Sequence, residues 1–289
     1  MRKQTLKRLK RPTILIVGLG QIGGSLGLAL VRRKIAGRVI GFDTNAAALR
    51  KAKRIGAIDE IARSLKAGVA EADLVILAAP IRKIIKMLPS VIAALPDNAA
   101  IIDVAGTKSE ILETIKKCGR KVNYIGGHPI AGNEGHGMKS ASPDHFDKAP
   151  FILVPGKGTT KACIGRVKTL VRSIGSRPII MTAAKHDRLI ALTSHLPYLV
   201  ALALSSMADD ERRKSPDIMY LMGGSYKSAT RVASSHEDLI LDMFLTNRTN
   251  LSKTIDRFIA VCERFRKLIK ASDENGLRRT IRRIRKVDR

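Results

Sequence analysis

The sequence predicts an α/β protein, with a doubly wound parallel sheet in residues 1–182 and an all-helical domain in residues 183–289. Three observations predict this class. Short, continuously apolar segments alternate with helical patterns through the first two thirds of the chain. A glycine-rich turn follows the first apolar segment. From about residue 183 onward the apolar residues have helical spacing.

The predicted strands are short, rich in β-branched residues and apolar without polar alternation, as in a sheet that is covered on both faces. They are 13–17, 38–42, 74–78, 99–104, 122–125, 151–154 and 178–181. Helices are predicted between them at 21–33, 46–55, 82–94, 108–117 and 160–174. In the second half, helices are predicted at 185–207, 237–245 and 250–271, and the apolar residues 277, 281, 284 and 287 form one stripe on a basic helix.

Composition excludes several classes of protein. A chain of 289 residues with 45% apolar residues can bury a sizeable core, so a wholly disordered protein is excluded. Three widely spaced cysteines fit neither a disulfide scaffold nor a cysteine-based zinc site. The apolar run 13–31 contains five glycines and the run 196–208 is too short to span a bilayer. We therefore expect a cytoplasmic protein with reduced thiols and no membrane partner.

The net charge of +28 raises the question of nucleic-acid binding. Basic residues are spread along the whole chain, aromatic residues make up only 3%, and tryptophan is absent, so few side chains could stack on bases. We expect no specific nucleic-acid partner. A basic nucleotide- or nucleic-acid-binding protein without catalysis is kept as an alternative, and a positive field would also attract anionic substrates.

The first glycine-rich turn has the pattern GxGxxG, from Gly18 through Gly20, Gln21 and Ile22 to Gly23. It lies between a predicted strand and a predicted helix, which is the context of a dinucleotide-binding turn in a Rossmann-type domain. In such a turn the first glycine permits the sharp bend, and the second lets the pyrophosphate approach the backbone. The third allows close packing of helix on strand, and the start of the helix binds the anion.

Two further segments are predicted to contact the cofactor. Asp43 ends the second strand, twenty residues after Gly23, where a carboxylate accepts hydrogen bonds from the ribose hydroxyls and repels a 2′-phosphate. This favours NAD over NADP, although Asp43 could instead cap the helix that follows. Ala79 and Pro80 follow the strand 74–78, where small residues would let the cofactor cross the edge of the sheet, although an ordinary loop explains them equally well.

The chain has six histidines, none with HExxH spacing, and no metal site is predicted. His128 lies just after the predicted strand 122–125, where an open α/β sheet faces its ligand crevice, and two glycines precede it. His195 lies early in the helical half, and a buried structural histidine would explain it equally well.

Six pieces of the sequence together match one family in order. They are ILIVGLGQIGGSLGLAL (14–30), ADLVILAAP (72–80), DVAGTK (103–108), GGHPIAGNEGHG (126–137), HDRLIALTSHLPY (186–198) and TRVASSHEDLILDMFLTN (230–247). With these motifs the sequence resembles the prephenate/arogenate dehydrogenases of tyrosine biosynthesis. The GGHPIAG and SHLP pieces are far more specific than the glycine pattern alone.

The resemblance implies NAD-dependent oxidative decarboxylation of prephenate to 4-hydroxyphenylpyruvate, or of arogenate to tyrosine. It assigns to His128 the role of accepting the proton of the ring hydroxyl, which suits a neutral imidazole near working pH. It also implies that the helical half forms a homodimer.

The resemblance implies further site residues. Arg231 would hold a substrate carboxylate through a bidentate pair. Ser194 and His195 would line the substrate pocket as a second polar pair, and Asn133 and Glu134 would lie near its mouth. Thr107 would line the cofactor site.

Two departures from the family pattern concern the substrate. Gly106 stands where the family often has a serine, and Tyr198 stands where a second histidine often follows SHLP. The segment 223–231, GGSYKSATR, also replaces the usual lead into the arginine. The preference between prephenate and arogenate therefore stays open.

Overall fold

A computed structural model describes residues 11–131 and 137–285 of the chain. The predicted stripe residue Val287 lies outside the described residues. The strands are β1 Thr13–Val17, β2 Arg38–Phe42, β3 Glu60–Ile61, β4 Leu74–Leu77, β5 Ala100–Asp103, β6 Asn123–Pro129, β7 Pro150–Pro155 and β8 Arg177–Ile180.

The helices begin between the strands and continue through the second half of the chain. They are α1 Gln21–Arg32, α2 Ala46–Arg54, α3 Leu65–Glu71, α4 Ile81–Ala94, α5 Ser109–Lys117, α6 Lys161–Ser173, α7 Ala183–Ile190, α8 Leu196–Lys214, α9 Ile218–Leu221, α10 Gly224–Thr230, α11 Glu237–Thr246, α12 Arg248–Lys270 and α13 Glu274–Arg285. One π-helical turn, Ala191–His195, joins α7 to α8.

The strands form one sheet in the order β3-β2-β1-β4-β5-β6-β7-β8. From β1 the chain moves outward through β2 and β3, and it then returns to the other side of β1 and continues from β4 to β8. This order places a topological switch point between β1 and β4, and ligands of open α/β sheets bind beyond the carboxyl ends of the strands at such a point. The predicted fold class is confirmed.

Two details of the sheet differ from the prediction. The pair of β6 and β7 is antiparallel, whereas every other pair is parallel. A parallel pair needs a crossover, usually a helix, but the described residues between β6 and β7 form only a four-residue 3₁₀ turn, Gly137–Ser140. β3 and α3 were not predicted from the sequence. A two-residue edge strand with exposed side chains, such as β3, has no periodicity to detect.

The sheet is covered on both faces, which explains its apolar strands. Ile14 and Ile16 of β1 belong to one buried cluster, with α1 and α6. Leu15 and Val17 of the same strand belong to the other, with α4. Successive side chains of a strand point to opposite faces, so the four apolar residues of β1 alternate between the two cores.

The chain divides into two compact units. One contains the described residues up to Asp187 together with Ser234–Thr246, and the other contains Arg188–Ala233 and the described residues from Asn247 onward. The segment that carries α11 therefore belongs to the same unit as the sheet. The second unit is entirely helical in its regular structure. The domain boundary at 182/183 stays a prediction.

One helical run among the described residues, Ala183–Lys214, is long and apolar enough to cross a membrane by length and composition alone. Only 22% of its most apolar window is buried.

Candidate active site

The glycine turn after β1 brings two loops into close contact. Gly18 has φ of +94°, and a Cβ atom there would lie 2.6 Å from the carbonyl oxygen of Ala78. A Cβ at Gly23 would lie 1.9 Å from the carbonyl oxygen of Gly18, so both positions require glycine. Around Gly20 no heavy atom of the described chain lies within 4 Å of the Cβ position. The second glycine thus leaves open space on the backbone, where the pyrophosphate would approach.

The start of α1 supplies the anion-binding end of this turn. Its first residues are Gln21 and Ile22, and Gly20 before them has no side chain to cap the helix. The first N–H groups of a helix without a side-chain cap are available to an anion. Ala79 and Pro80 lie on the neighbouring loop, between β4 and α4, at the same edge of the sheet.

Asp43 is tied to the glycine turn rather than to a helix cap. Its carboxylate accepts the Leu19 N–H at 2.6 Å and the Asn45 N–H at 2.8 Å. The residue that caps α2 is Asn45, whose side chain accepts the N–H groups of Ala47 and Ala48. The helix-cap alternative for Asp43 is therefore wrong, because the cap position falls two residues later.

A cavity of about 530 Å³ opens beside Asp43. It is lined by Leu19, Gly20, Asp43, Asn45, Ala47, Ala48, Lys51, Gly137, Met138 and Lys139. A cavity of this size suits a nucleoside. The open backbone at Gly20, the uncapped helix and this cavity, which one acidic and two basic side chains line, together fit a dinucleotide.

His128 lies inside β6, not after it as the sequence reading placed it. The strand continues to Pro129 because its two glycines let it pack closely on β5. A Cβ at Gly127 would lie 2.5 Å from the Asp103 carbonyl oxygen, and one at Gly126 would lie 2.6 Å from the Lys108 side chain. The two glycines therefore serve close packing in a regular strand.

His128 forms a hydrogen-bonded chain with two buried residues that the sequence reading did not select. Its Nδ1 lies 2.9 Å from Nε2 of His186, with the ring planes 71° apart. His186 Nδ1 in turn lies 2.7 Å from Oδ1 of Asp187. His186 and Asp187 are 3% and 1% exposed, respectively. The adjacent His-Asp pair in the HDRLIALTSHLPY piece was a signal that could have identified them.

Asp187 is held as a carboxylate. Its two oxygens accept the N–H groups of Lys108 and Ser109, at 3.0 and 2.8 Å, at the start of α5. Burial alone would raise the pKa of Asp187, but the hydrogen bonds from His186 and Ser109 outweigh burial and lower that pKa below its ordinary value. The group at the end of the chain is therefore ionised at neutral pH.

A second buried cluster lies beneath this chain. Asp103 accepts hydrogen bonds from the Lys108 ammonium and from the Tyr124 hydroxyl. Burial lowers the pKa of Lys108, although Asp103 and Asp187 oppose the shift. Burial, together with the charge of Asp103, raises the pKa of Tyr124 well above its ordinary value. The Lys108 and Asp103 charges pair with each other, as buried charges must.

Thr107 is fully buried, and its hydroxyl lies 2.8 Å from that of Thr246 in α11. Arg82 at the start of α4 forms an ion pair of 2.5 Å with Asp242, also in α11. These contacts hold α11 against the sheet unit. The role of Thr107 in cofactor binding stays a prediction.

The other predicted residues lie in the helical unit. Ser194 and His195 are in the π-helical turn, and Arg231 is exposed at the end of α10. π-Helical turns are rare in proteins overall, and many of those that occur lie at functional sites. Asn133 and Glu134 lie outside the described residues. Within 11–131 and 137–285, no group of three His, Cys, Asp or Glu side chains could hold a metal ion.

The protonation of His195 follows from its neighbours. Asn250 donates to the amide oxygen of Asn247 at 2.8 Å, so the amide nitrogen of Asn247 faces His195 Nδ1 at 3.2 Å. In a neutral ring Nδ1 is then an acceptor and Nε2 carries the proton. His195 presents a donor, and it is completely buried.

Comparisons with known proteins agree with this geometry. The family model described as prephenate dehydrogenase, nucleotide-binding domain, matches residues 26–180. The model described as prephenate dehydrogenase, dimerization domain, matches residues 182–283. A prephenate dehydrogenase of Bacillus subtilis (strain 168) is 30% identical over 269 residues, covering 92% of this chain and 72% of that protein.

Two solved structures are similar over nearly the whole chain. Prephenate dehydrogenase from A. aeolicus, in complex with hydroxyphenyl propionate and NAD+, has a TM-score of 0.90 at 29% identity and covers 98% of this chain and 99% of that one. Synechocystis arogenate dehydrogenase has a TM-score of 0.81 at 28% identity and covers 96% of this chain and 98% of that one.

Proposed function

The chain belongs to the prephenate dehydrogenase family, and on this premise we propose that it catalyses NAD-dependent oxidative decarboxylation of prephenate to 4-hydroxyphenylpyruvate in tyrosine biosynthesis. One observation carries the proposal. The dinucleotide turn after β1 and His128 in β6 lie at the carboxyl edge of one sheet. The two strands are three positions apart, about 14 Å at the usual strand spacing, so a cofactor bound at the turn can extend toward His128.

The chemistry that NAD supplies when bound is acceptance of a hydride from the ring carbon that carries the hydroxyl. Gly18, Gly20 and the start of α1 would hold the pyrophosphate, Gly23 lets the helix pack closely on the turn, and Asp43 would accept hydrogen bonds from the ribose hydroxyls. Gln21, Ile22, Ala79, Pro80 and Thr107 are the further residues proposed to contact the cofactor.

His128 moves the proton. As hydride leaves, positive charge develops at the carbinol carbon, and transfer of the hydroxyl proton to His128 Nε2 relieves it. The bond to the ring carboxylate then breaks, and its electron pair moves through the ring to the carbonyl oxygen as carbon dioxide leaves. That oxygen takes the proton back from His128, so the product is a phenol and the histidine ends neutral, ready for the next turnover.

The helical unit is proposed to hold the rest of the substrate. The Arg231 guanidinium matches the geometry of a carboxylate in a bidentate pair. Ser194 and the buried Nε2–H of His195 supply donors to anionic or hydroxyl groups. Asn133 and Glu134 are proposed for the pocket mouth on the family resemblance alone.

The second candidate substrate is arogenate, because the similar Synechocystis enzyme is an arogenate dehydrogenase and the two substrates share the same ring. They differ only in a keto or an amino group on the side chain. We expect NADH to form with prephenate, and a larger kcat/KM for arogenate would reverse the assignment.

Absence of turnover with both compounds would contradict the proposed function. If, in addition, the protein bound a nucleic acid tightly and sequence-dependently at physiological salt, the non-catalytic alternative suggested by the +28 charge would replace it.

The protein is proposed to be a cytoplasmic homodimer. The dimerization-domain model covers the helical unit. Several large apolar side chains of that unit are exposed in the single chain, among them Leu192, Met207, Leu221, Ile259 and Ile269. A second copy would cover such a surface. The three cysteines are thiols, as a reducing compartment allows.

A further inference from the structure

The hydrogen-bonded chain from Asp187 through His186 to His128 has a direction. The Asp187 carboxylate is ionised and can only accept, so the proton between it and His186 lies on His186 Nδ1. A neutral imidazole carries one proton. His186 Nε2 therefore holds a lone pair and must accept the hydrogen bond that joins it to His128.

The same reasoning reaches the reactive ring. His128 Nδ1 must be the donor to His186 Nε2, which leaves the lone pair of His128 on Nε2. We propose that His186, oriented by Asp187, is a positioning residue that keeps the proton of His128 on Nδ1 and so makes Nε2 the base for the substrate hydroxyl. Without this constraint a neutral histidine in water prefers the opposite tautomer. Its proton is then on Nε2, and that nitrogen cannot accept the proton of the substrate hydroxyl.

The surroundings of His186 support this role. Among the ionisable groups near Asp187, Lys108 and Tyr124 both donate hydrogen bonds to Asp103. Asp187 is thus the carboxylate that hydrogen-bonds to His186, and two N–H groups of α5 hold it in place. A partner that fixes the far nitrogen of a functional histidine also raises the basicity of the near one.

Protonation reverses the arrangement. A second proton on His186 would turn its Nε2 into a donor, and His128 could then meet it only by accepting at Nδ1 and carrying its own proton on Nε2. The Nδ1–H tautomer of His128 therefore requires that His186 carry a single proton.

The inference rests on the proposed function, but its first test does not need a substrate. In protein labelled with ¹⁵N-histidine, nitrogen–proton correlation spectra distinguish the two tautomers of each ring, and His128→Asn identifies the His128 signals. We expect the Nδ1–H tautomer for His128 at pH 8. An Nε2–H tautomer in the wild-type protein would overturn the inference whatever the enzyme catalyses.

Two variants of His186 extend the test. Leucine in His186→Leu has no acceptor for His128, whereas glutamine in His186→Gln can place its amide oxygen near the position of Nε2. We expect His128 to change to the Nε2–H tautomer in His186→Leu and to keep the Nδ1–H tautomer in His186→Gln. The exposed His236 provides a matched control, His236→Gln, that leaves the His128 spectrum unchanged.

Kinetics with the better substrate give the second readout. We expect His186→Leu to lower kcat by about 10–100-fold, the usual effect of losing the outer partner of a functional histidine, with a smaller change in KM. His186→Gln should recover most of kcat, because its amide oxygen restores an acceptor for His128.

A merely structural His186 predicts a different pattern. Loss of folded protein would lower activity without changing the tautomer of His128 in the folded fraction, and glutamine would rescue activity no better than leucine. If His186→Leu folds with the wild-type tautomer of His128 and kcat within twofold, the positioning role is wrong. If it does not fold, the wild-type spectrum and the comparison of His186→Gln with wild type still decide the question.

Discussion

His128 uses one ring nitrogen for position and the other for chemistry. The contact of Nδ1 with His186 is internal to the sheet unit, so it can persist when Nε2 is removed. His195 has the opposite arrangement, with an acceptor at Nδ1 and a donor at Nε2. At Nε2, His128 thus offers an acceptor and His195 a donor. This difference comes from their hydrogen-bond partners and cannot be read from the residue type.

The change His128→Asn separates these two functions. The asparagine amide can still donate to His186 Nε2 from near the Nδ1 position, but it offers no base at the place of Nε2. We expect kcat for NADH formation to fall at least about 100-fold, the scale of a lost general base.

NAD affinity is the control for this variant, because the cavity beside Asp43 is formed by other residues. An unchanged dissociation constant for NAD together with kcat within tenfold of wild type would remove His128 from the proposed chemistry.

At the scale of elements, α11 shows how hydroxyl groups hold a helix in place. Thr246 donates its single proton to the Asp242 carbonyl oxygen at 2.6 Å. The hydrogen bond between the two threonines must therefore be donated by Thr107. The two hydroxyl groups therefore contribute differently to stability. Removing the Thr246 hydroxyl leaves the buried Thr107 hydroxyl without its acceptor, whereas removing the Thr107 hydroxyl only takes away a hydrogen bond that Thr246 accepts.

This inequality predicts the order of two isosteric substitutions. Thr246→Val should lower the free energy of unfolding by about 1–3 kcal/mol, the penalty for an unsatisfied buried donor. Thr107→Val should cost less, and the double variant should cost less than the sum of the two. Urea unfolding followed by circular dichroism measures all three. An equal or larger loss in Thr107→Val would contradict the assigned donor.

On the scale of the whole molecule, exposed apolar surface and high positive charge coexist. The charge of +28 opposes self-association by repulsion, whereas the apolar helices of the second unit favour it. Apolar burial decides such a balance when the contacting patch is large and the charges are spread over the rest of the surface. Salt should therefore strengthen the dimer by screening the repulsion.

The dimer prediction can be tested at Met207 of α8, which is 69% exposed in the single chain. Sedimentation equilibrium should give twice the chain mass at micromolar concentration. Met207→Asp should raise the dimer dissociation constant at least about tenfold, because an unpaired charge would be buried in the interface. Ile55→Asp at the end of α2 in the sheet unit is the control and should leave it unchanged. A monomeric wild-type protein would contradict the proposed assembly.

The sequence by itself determined the fold class, the dinucleotide turn and most strands and helices. These depend on local rules, namely the period of apolar residues and the conformations that glycine permits. For the same reason Gly18 was predicted to permit the sharp bend and Gly23 to allow close packing, and the structure shows a φ of +94° at Gly18 and a Cβ-excluding contact at Gly23.

Only the tertiary structure decided which side chains act on which. The two ends of the His128–His186 contact are 58 residues apart, and those of the Thr107–Thr246 contact are 139 residues apart. No local pattern encodes such a pair. The antiparallel turn to β7, the cap at Asn45 instead of Asp43 and the return of α11 to the sheet unit likewise depend on where distant segments pack. Periodicity specifies what an element is, but the direction of a hydrogen bond and the polarity of a histidine are fixed by neighbours that folding brings together.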